Sequence, residues 1–500
     1  MILAKSIKVK NYINGKWVDA VSKKTLKSIN PADKKDVVAV VPRSGKKDVD
    51  NAVKAARKAL ETWRLTPAPE RGEILFKAAQ LLLENKKRLG DLIVREMGKV
   101  KKESDGDVQE AIDIGYYFAA EGRKGWGQTF ESELKNKSIR SIRQPVGVFA
   151  CITPWNFPIA IPGWKLFPAL VYGNTVVFKP SNYTSACAFE LVKIFEKAGV
   201  PEGVLNLVNG KGSEVGDMLV KRKDIDAISF TGSTAVGKGI GKLCGEKLKP
   251  HSLEMGGKNP IIVMDDAKLD LAVDGCIWAG FGTTGQRCTA GSRVIVHKKI
   301  FDKFQKRFVA RVKKLKLGPG NKKGIDVGPL INEEQLKKVD EYVRIGKTKD
   351  KAKLLCGGSF CKTGSCRDGF FYQPTVFTNV ATDMTIAQEE IFGPVVALIK
   401  ADNLNDAIKK ANNIKYGLSS AIFTQDINNA EIAARDLRAG LVYINTSTIG
   451  AEIQTPFGGL KGTGNGHREA GGYGGAIETY TELKVISTDF SGKLQKAQMD

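Results

Sequence analysis

The sequence predicts an α/β protein built on parallel sheets, in two or three domains. Three observations carry this. Between residues 146 and 263, short apolar strands alternate with helical segments: VGVFACI, TVVFKPS, ACAFELVKIFEKAG, LNLVNG, AISFTGS and NPIIVM. Strands joined by helices in this way form βα units. A second alternating series runs from near 265 to about 450, and after 475 the chain returns to β character in TYTELKVIST. A chain of 500 residues also exceeds what one small core holds.

Along the chain, YINGKWVDA alternates and turns at Asn14-Gly15, a hairpin signal. DVDNAVKAARKALETW and ERGEILFKAAQLLLENKKRLGDLIVREMG carry apolar residues at intervals of three and four, so each predicts an amphipathic helix. NKSIRSIRQPVGVFA, residues 136–150, reads as a strand hairpin with an exposed basic face. The most apolar stretch, 145–178, is broken by five prolines and carries Lys165, which predicts a folded, turn-rich segment rather than a membrane span. The second series holds the helix IFDKFQKRFVARVKKLKLG, the strand pair FFYQPTVFTNV and PVVALIK, the helix NLNDAIKKANN and the strand LVYINTS. No internal repeat or low-complexity linker is present.

Apolar residues make up 42% and charged ones 26%, the balance of an ordinary soluble protein. MILAKSIKVKNY has no apolar core of a secretory signal, and neither end carries a lipidation motif. Eight irregularly spaced cysteines suit a reducing, cytoplasmic setting. Cys356, Cys361 and Cys366 lack the paired knuckles or nearby histidine of a zinc site, so free thiols, or a Cys361–Cys366 disulfide, are expected and no metal. The net charge of +24 comes mainly from lysines spread at helical spacing over solvated faces. No nucleic-acid signature accompanies them, so the expected partner is a small molecule, with anionic substrates attracted.

Several segments hold a polar group in a turn next to an apolar strand, mostly where α/β sheets place ligand contacts. TPWNFP brackets Asn156 between Trp155 and Phe157, where a fixed amide can donate to an oxyanion. VVFKPS ends a strand at Lys179, and FTGSTAVG sets Gly232 and Ser233 at the start of a helix, a ready phosphate site. The nearby NGKGSEVG reads as a simple turn. LEMGGKNP places Glu254 among apolar neighbours that disfavour its charge, as a general base requires. EEIFGPVV offers Glu390 and Phe392. In GQRCTA, Cys288 follows a glycine-rich approach, and the adjacent Arg287 favours its thiolate. A lone cysteine is more often a small buried hydrophobe, so the surrounding motifs decide. His251, His297 and His467 sit in no nucleophile-elbow context, which excludes a Ser–His–Asp or Cys–His hydrolase.

PWNFP, FKPS, FTGST, LEMGGKNP, GQRCTA, EEIFGPV and PFGGLKGTG stand in the order and approximate spacing of the aldehyde dehydrogenase superfamily, and the separation of Glu254 from Cys288 fits as well. The chain resembles that family from YINGKW to YTELKV. The resemblance implies Cys288 as nucleophile, Asn156 with the Cys288 backbone N–H as oxyanion hole, and Glu254 as the base that hydrolyses the thioester. It implies Lys165 in a proton relay, and cofactor contacts at Trp155, Lys179, Ser181, Asn182, Gly232, Ser233, Glu390 and Phe392. The glutamate of LEMGGKNP favours the free acid over a coenzyme A ester as product.

Two departures from the family pattern bear on function. Gly471-Gly472-Tyr473-Gly474 replaces a GEYG sequence, which leaves Lys165 without its expected acidic partner. Asn182 stands where NAD-specific relatives carry a glutamate, so the cofactor is NADP or NAD with NADP slightly preferred. Arg287 occurs in relatives that take acidic aldehydes, and NTSTIGAEIQTPFGG and DFSGKLQKAQMD resemble 2-oxoglutarate semialdehyde (2,5-dioxopentanoate) dehydrogenases. Succinate semialdehyde, lactaldehyde and glyceraldehyde 3-phosphate remain open as substrates. A catalytically silent structural relative is disfavoured by intact Cys288, Glu254 and Asn156. The implied fold is a Rossmann-like cofactor domain (1–131 and 151–261), an α/β catalytic domain (262–455) and a small β flap (132–150 and 478–500) that assembles dimers or tetramers.

Overall fold

A computed structural model describes residues 5–498. Residues 1–4 of the N-terminal stretch and residues 499–500 of the expected flap lie outside the described residues. Two seven-stranded sheets organise the chain. The first runs in the order His251–Glu254, Ala227–Thr231, Val148–Ile152, Thr175–Lys179, Leu205–Leu207, Asn11–Ile13, Lys16–Val18. Its first five strands are parallel and the hairpin 11–18 closes one edge antiparallel. At the hairpin tip Asn14 and Gly15 have φ of 50° and 75°, as a two-residue turn between twisted strands demands. Val148–Ile152 and Thr175–Lys179 are buried throughout, which is why they read as continuous apolar runs rather than alternating ones.

The chain builds outward from Val148–Ile152 in one direction through 175–179 and 205–207, then returns to its other side with Ala227–Thr231. That reversal opens a crevice at the carboxyl ends of 148–152 and 227–231, the place where open α/β sheets hold ligands. Trp155 and Asn156 follow one strand and Gly232 and Ser233 the other, so four residues far apart in sequence meet there.

The second sheet runs Lys353–Cys356, Thr375–Thr378, Val395–Ala401, Arg293–His297, Pro260–Val263, Ser419–Phe423, Leu441–Ile444, parallel except at its first edge. A three-stranded flap joins Thr481–Asp489, Lys137–Pro145 and Thr129–Phe130. Among the described residues, no helix is long and apolar enough to cross a membrane.

Local reading went astray where the deciding partner is remote. Residues 136–150 form no hairpin: Lys137–Pro145 pairs along its whole length with Thr481–Asp489, while Val148–Ile152 enters the first sheet. NPIIVM, which follows the first strand series in sequence, lies between Arg293–His297 and Ser419–Phe423 in the second sheet. The long helix expected after residue 70 is two, Ala68–Glu84 and Lys86–Glu96. Asn85 breaks it, its side-chain amide donating to the Leu81 carbonyl at 2.8 Å and so competing with the helix's own ladder. The proline-broken stretch contains the buried helix Ala160–Val171, with Pro162 in its first turn, where no intrahelical N–H bond is lost. Gly212–Gly216 of NGKGSEVG is a π-helical turn leading into Asp217–Lys221 rather than a simple turn.

Candidate active site

Cys288 follows a loop that is held under strain. Thr283 and Thr284 have φ of 51° and 58°, a left-handed conformation that β-branched residues adopt only when their surroundings enforce it. Here they do. Glu103, from the helix Lys101–Glu121, accepts the Thr283 N–H at 2.8 Å and its hydroxyl at 3.4 Å. Thr284 Oγ1 donates to the Gly328 carbonyl at 3.0 Å, and Gln286 Oε1 accepts the Ile331 N–H at 3.0 Å. On the other side, Asn259 Nδ2 donates to the carbonyls of Cys288 (2.7 Å) and Ala290 (2.9 Å). A Cβ at Gly257 would stand 2.2 Å from the Cys288 carbonyl oxygen, so the second glycine of LEMGGKNP is required by close approach.

Asn156 is buried, and its Nδ2 donates to the Gln286 carbonyl at 3.1 Å. The amide carries a second hydrogen. Anchored two residues before the thiol, it is positioned to offer that hydrogen to an oxygen at the sulfur. Cys288 lines two adjoining cavities, together with Ile161, Thr231 and Met255. The first is largely apolar, with Phe157, Trp164, Phe457 and Ile449 among its walls, and also exposes Glu254, Glu469, Glu110 and Arg287. The second is lined by Trp155, Asn156, Gly232, Ser233, Glu390 and Phe392.

The thiolate-promoting effect expected of Arg287 is absent. Burial pushes the Cys288 thiol up to about 12, with Glu390 and Glu254 adding to the rise and the N–H groups of Thr289 and Cys288 opposing it. Arg287 is buried and turned aside, its Nε donating to Thr283 Oγ1 at 2.8 Å and its Nη2 lying 3.5 Å from Glu103. Its guanidinium carbon sits 4.8 Å from the Trp278 ring centre and 5.3 Å from that of Phe157. The guanidinium thus braces the loop while still lining the first cavity.

Lys165 does have an acidic partner, contrary to the expectation from Gly471-Gly472. The partner is Glu469, three residues before the Gly472 that replaces the motif's glutamate, and the lysine Nζ bonds it and also Ser229 Oγ at 2.8 Å. Ser229 donates to Glu469 at 2.6 Å and accepts from the Tyr480 hydroxyl at 3.2 Å. Glu254 stands near this group: burial raises its carboxyl well above the usual range, Glu469 raises it further, and Lys165 and Arg468 oppose. A Cβ at Gly458 of PFGG would lie 2.9 Å from Glu254 Oε1, and Thr463 accepts the Met255 N–H at 2.7 Å through its carbonyl. The C-terminal motif therefore packs on the carboxylate.

In the second cavity Phe392 packs edge-on against Trp155 with ring centres 5.4 Å apart. Glu390 accepts the Gly257 N–H at 3.0 Å. Ser233 precedes the helix Thr234–Gly245 and its hydroxyl makes no cap, which leaves the first N–H groups of that helix for an anion. Lys179 is buried at the end of its strand, its ammonium lowered to about 8 by burial alone. No hydrogen bond or ion pair satisfies it among the described residues, so a hydroxyl- or phosphate-bearing ligand fits there. Ser181 is buried, its hydroxyl accepting the Tyr183 N–H at 3.3 Å, and Asn182 is part-exposed beside it. Cys356, Cys361 and Cys366 are free thiols, so the Cys361–Cys366 bridge is not formed.

Glu103, Asn259 and Glu469 belong to this site and were not singled out by the sequence. Asn259 lies within the GGKNP motif, which was the available signal; Glu103 sits in a lysine-rich run that resembles any solvated helix start.

A thiol set between an apolar cavity and a second cavity at the crevice of the first sheet, with a buried carboxyl beside it, fits an α/β oxidoreductase. The chain belongs to the aldehyde dehydrogenase family, whose model matches residues 17–486, and is an NAD(P)-dependent aldehyde dehydrogenase. It is 42% identical to the alpha-ketoglutaric semialdehyde dehydrogenase of Bacillus subtilis (strain 168), over 95% of this chain and 97% of that one. It is likewise 42% identical to the 2,5-dioxopentanoate dehydrogenase of Saccharolobus solfataricus, over 94% and 97%. A crystal structure of betaine aldehyde dehydrogenase from Staphylococcus aureus in complex with NAD+ superposes with a TM-score of 0.94 at 37% identity, covering 97% of this chain and 96% of that one.

Proposed function

We propose that this enzyme oxidises an acidic semialdehyde, 2-oxoglutarate semialdehyde first, to the free acid. The observation that carries the reading is Arg287, a buried guanidinium on the wall of the apolar cavity that also holds Cys288. Thr283 and Glu103 engage only part of its fork, and the remaining N–H groups suit a carboxylate. The names of the two semialdehyde dehydrogenases favour this substrate over lactaldehyde, succinate semialdehyde or glyceraldehyde 3-phosphate.

In this mechanism Cys288 Sγ adds to the aldehyde carbon, and Asn156 with the Cys288 N–H holds the resulting oxyanion. Because the thiol proton is tightly held, it must leave as the C–S bond forms, and Glu254 is the nearby base placed to take it. The nicotinamide cofactor, when bound, supplies the hydride acceptor. It would be held by Lys179, Ser181 and Asn182 at the ribose, by Gly232 and Ser233 at the pyrophosphate, and by Trp155, Glu390 and Phe392 near the nicotinamide. Glu254 first passes the thiol's proton on to Glu469 and Lys165, then takes a proton from the water that attacks the thioester, and returns that proton to the departing Cys288 thiolate. Because Asn182 is neutral it does not repel a 2′-phosphate, so both cofactors serve, with NADP slightly preferred.

Cofactor binding belongs to the unit on the first sheet and the Cys288 chemistry to that on the second, which begins with Pro260–Val263. The flap of Thr129–Phe130, Lys137–Pro145 and Thr481–Asp489 exposes Leu483 and Val485, apolar side chains suited to burial in a cytoplasmic homodimer or homotetramer.

Arg287→Met, assayed with 2-oxoglutarate semialdehyde and an uncharged aldehyde of similar length, tests the substrate. Loss of a charge-assisted bond of about 1.5–3 kcal/mol predicts a fall in kcat/KM for the acidic substrate that exceeds the fall for the uncharged one by roughly ten- to hundredfold. Equal falls on both would confine Arg287 to bracing the loop.

A further inference from the structure

The charges around the first cavity do not simply favour an anion. Arg287 is answered by Glu103 at 3.5 Å, and the buried Lys99 by Asp107 at 2.7 Å. Glu254 is close enough to Cys288 to raise its thiol, and Glu469 is bonded to Lys165. That leaves Glu110 as a surplus carboxyl on the cavity wall. It projects from the helix Lys101–Glu121, and its Oε1 accepts the Trp164 Nε1–H at 2.6 Å from the packed helix Ala160–Val171. Its Oε2 has no partner among the described residues. An ionised Glu110 would set a second negative charge against any substrate carboxylate brought to Arg287. A protonated one has the opposite effect, since a carboxylic acid donates a short, strong hydrogen bond to a carboxylate.

Resting on the acidic-semialdehyde reading, we propose that protonated Glu110 recognises the substrate: with Oε1 fixed by Trp164, its Oε2–H donates to the substrate's distal carboxylate beside Arg287. Productive binding of an acidic aldehyde is then linked to Glu110 holding one proton, and binding of an uncharged aldehyde is not.

The environment supports this. Burial raises the Glu110 carboxyl to about 7; the Trp164 bond opposes the rise, Asp107 adds to it, and Lys99 and Arg287 oppose it. The acid form needed for binding is therefore populated below about pH 7 and lost above it. A substrate carboxylate placed at Arg287 would raise the group further, so the occupied site keeps the proton to higher pH.

The test is the ratio of kcat/KM for 2-oxoglutarate semialdehyde to that for an uncharged aldehyde of similar length, from pH 6 to 9. Titration of Cys288 and Glu254 affects both substrates and cancels in the ratio. In the wild type the ratio should be level at low pH and fall toward tenfold per unit above about 7. In Glu110→Gln, where a permanent N–H replaces the acid proton and Oε1 still accepts from Trp164, the ratio should stay level. A wild-type ratio well above one that does not change with pH overturns the role of Glu110 and leaves the substrate reading intact. The same pH dependence in wild type and variant also overturns it. A ratio near one at every pH overturns both.

Discussion

Replacing Glu103 by alanine should damage catalysis from a position that touches neither cavity. The side chain accepts two bonds from Thr283 and faces the Arg287 guanidinium, and all three residues are buried. Its removal leaves the Thr283 N–H without a partner, at a cost of about 1–3 kcal/mol. It also strips a buried cation of its counter-charge, where breaking such a pair costs about 3–5 kcal/mol. The two losses share one carboxylate and do not add fully, so about 3–5 kcal/mol is the expected total. Against this, each left-handed threonine stores about 1–3 kcal/mol of backbone strain that the loop releases once its restraint is gone. Relaxation therefore compensates stability while displacing Cys288, and a shift of about 1 Å at the reacting atom costs about a hundredfold in rate. The assay is kcat/KM alongside thermal inactivation and NAD(P) binding. A hundredfold fall in kcat/KM with cofactor affinity near wild type is expected. Activity within twofold of wild type would refute the claim that Glu103 holds the strained loop in its reactive form.

Asn182→Glu should move selectivity toward NAD by at least tenfold in the ratio of kcat/KM values, and a wild type that already rejects NADP would contradict the reading of Asn182. Alkylation of the free enzyme at Cys288 by iodoacetamide should rise about tenfold per pH unit through pH 7–9 without levelling, since only the thiolate reacts and the group titrates near 12. A plateau near neutral pH would show a thiolate already formed. Lys165→Met should slow steady turnover more than the first formation of reduced cofactor, because it breaks the Lys165–Glu469 ion pair behind Glu254; equal slowing of both phases would place Lys165 elsewhere.

The parts of the site that sequence made legible are those fixed within a few residues of a strand's end. Asn156, Lys179 and Ser233 each follow a buried run that could be read as a strand, and the crevice rule then places them together. Cys288 stood out in the sequence only together with the surrounding motifs, and its electrostatics did not show there, because the direction in which Arg287 points depends on Glu103 and two aromatic rings from other elements. Glu469 was missed for a related reason: its approach to Lys165 is set by how residues 460–480 pack against the first sheet, and Ser229 lies on that sheet. The flap shows the same limit in β structure. Lys137–Pro145 and its partner Thr481–Asp489 each look like a strand, but nothing local in either names the other. Asn85 differs, since a single side chain competing with the helix ladder ended a pattern whose periodicity ran on without interruption.

The central claim is that Cys288 carries the acyl group and that Glu254 is required to release it. Glu254→Gln, mixed with cofactor and 2-oxoglutarate semialdehyde and quenched in acid within the first turnovers, tests this by mass spectrometry of the peptide containing Cys288. Neutral glutamine still fits beside Gly458 but cannot take a proton from water. The account predicts reduced cofactor formed up to about one equivalent per site, at a rate lowered by about a hundredfold or more because Glu254 also takes the thiol's proton. It also predicts a slow steady phase and a Cys288 peptide heavier by the 2-oxoglutaryl group. Reduced cofactor formed at a normal steady rate with no acyl mass on Cys288 would contradict it.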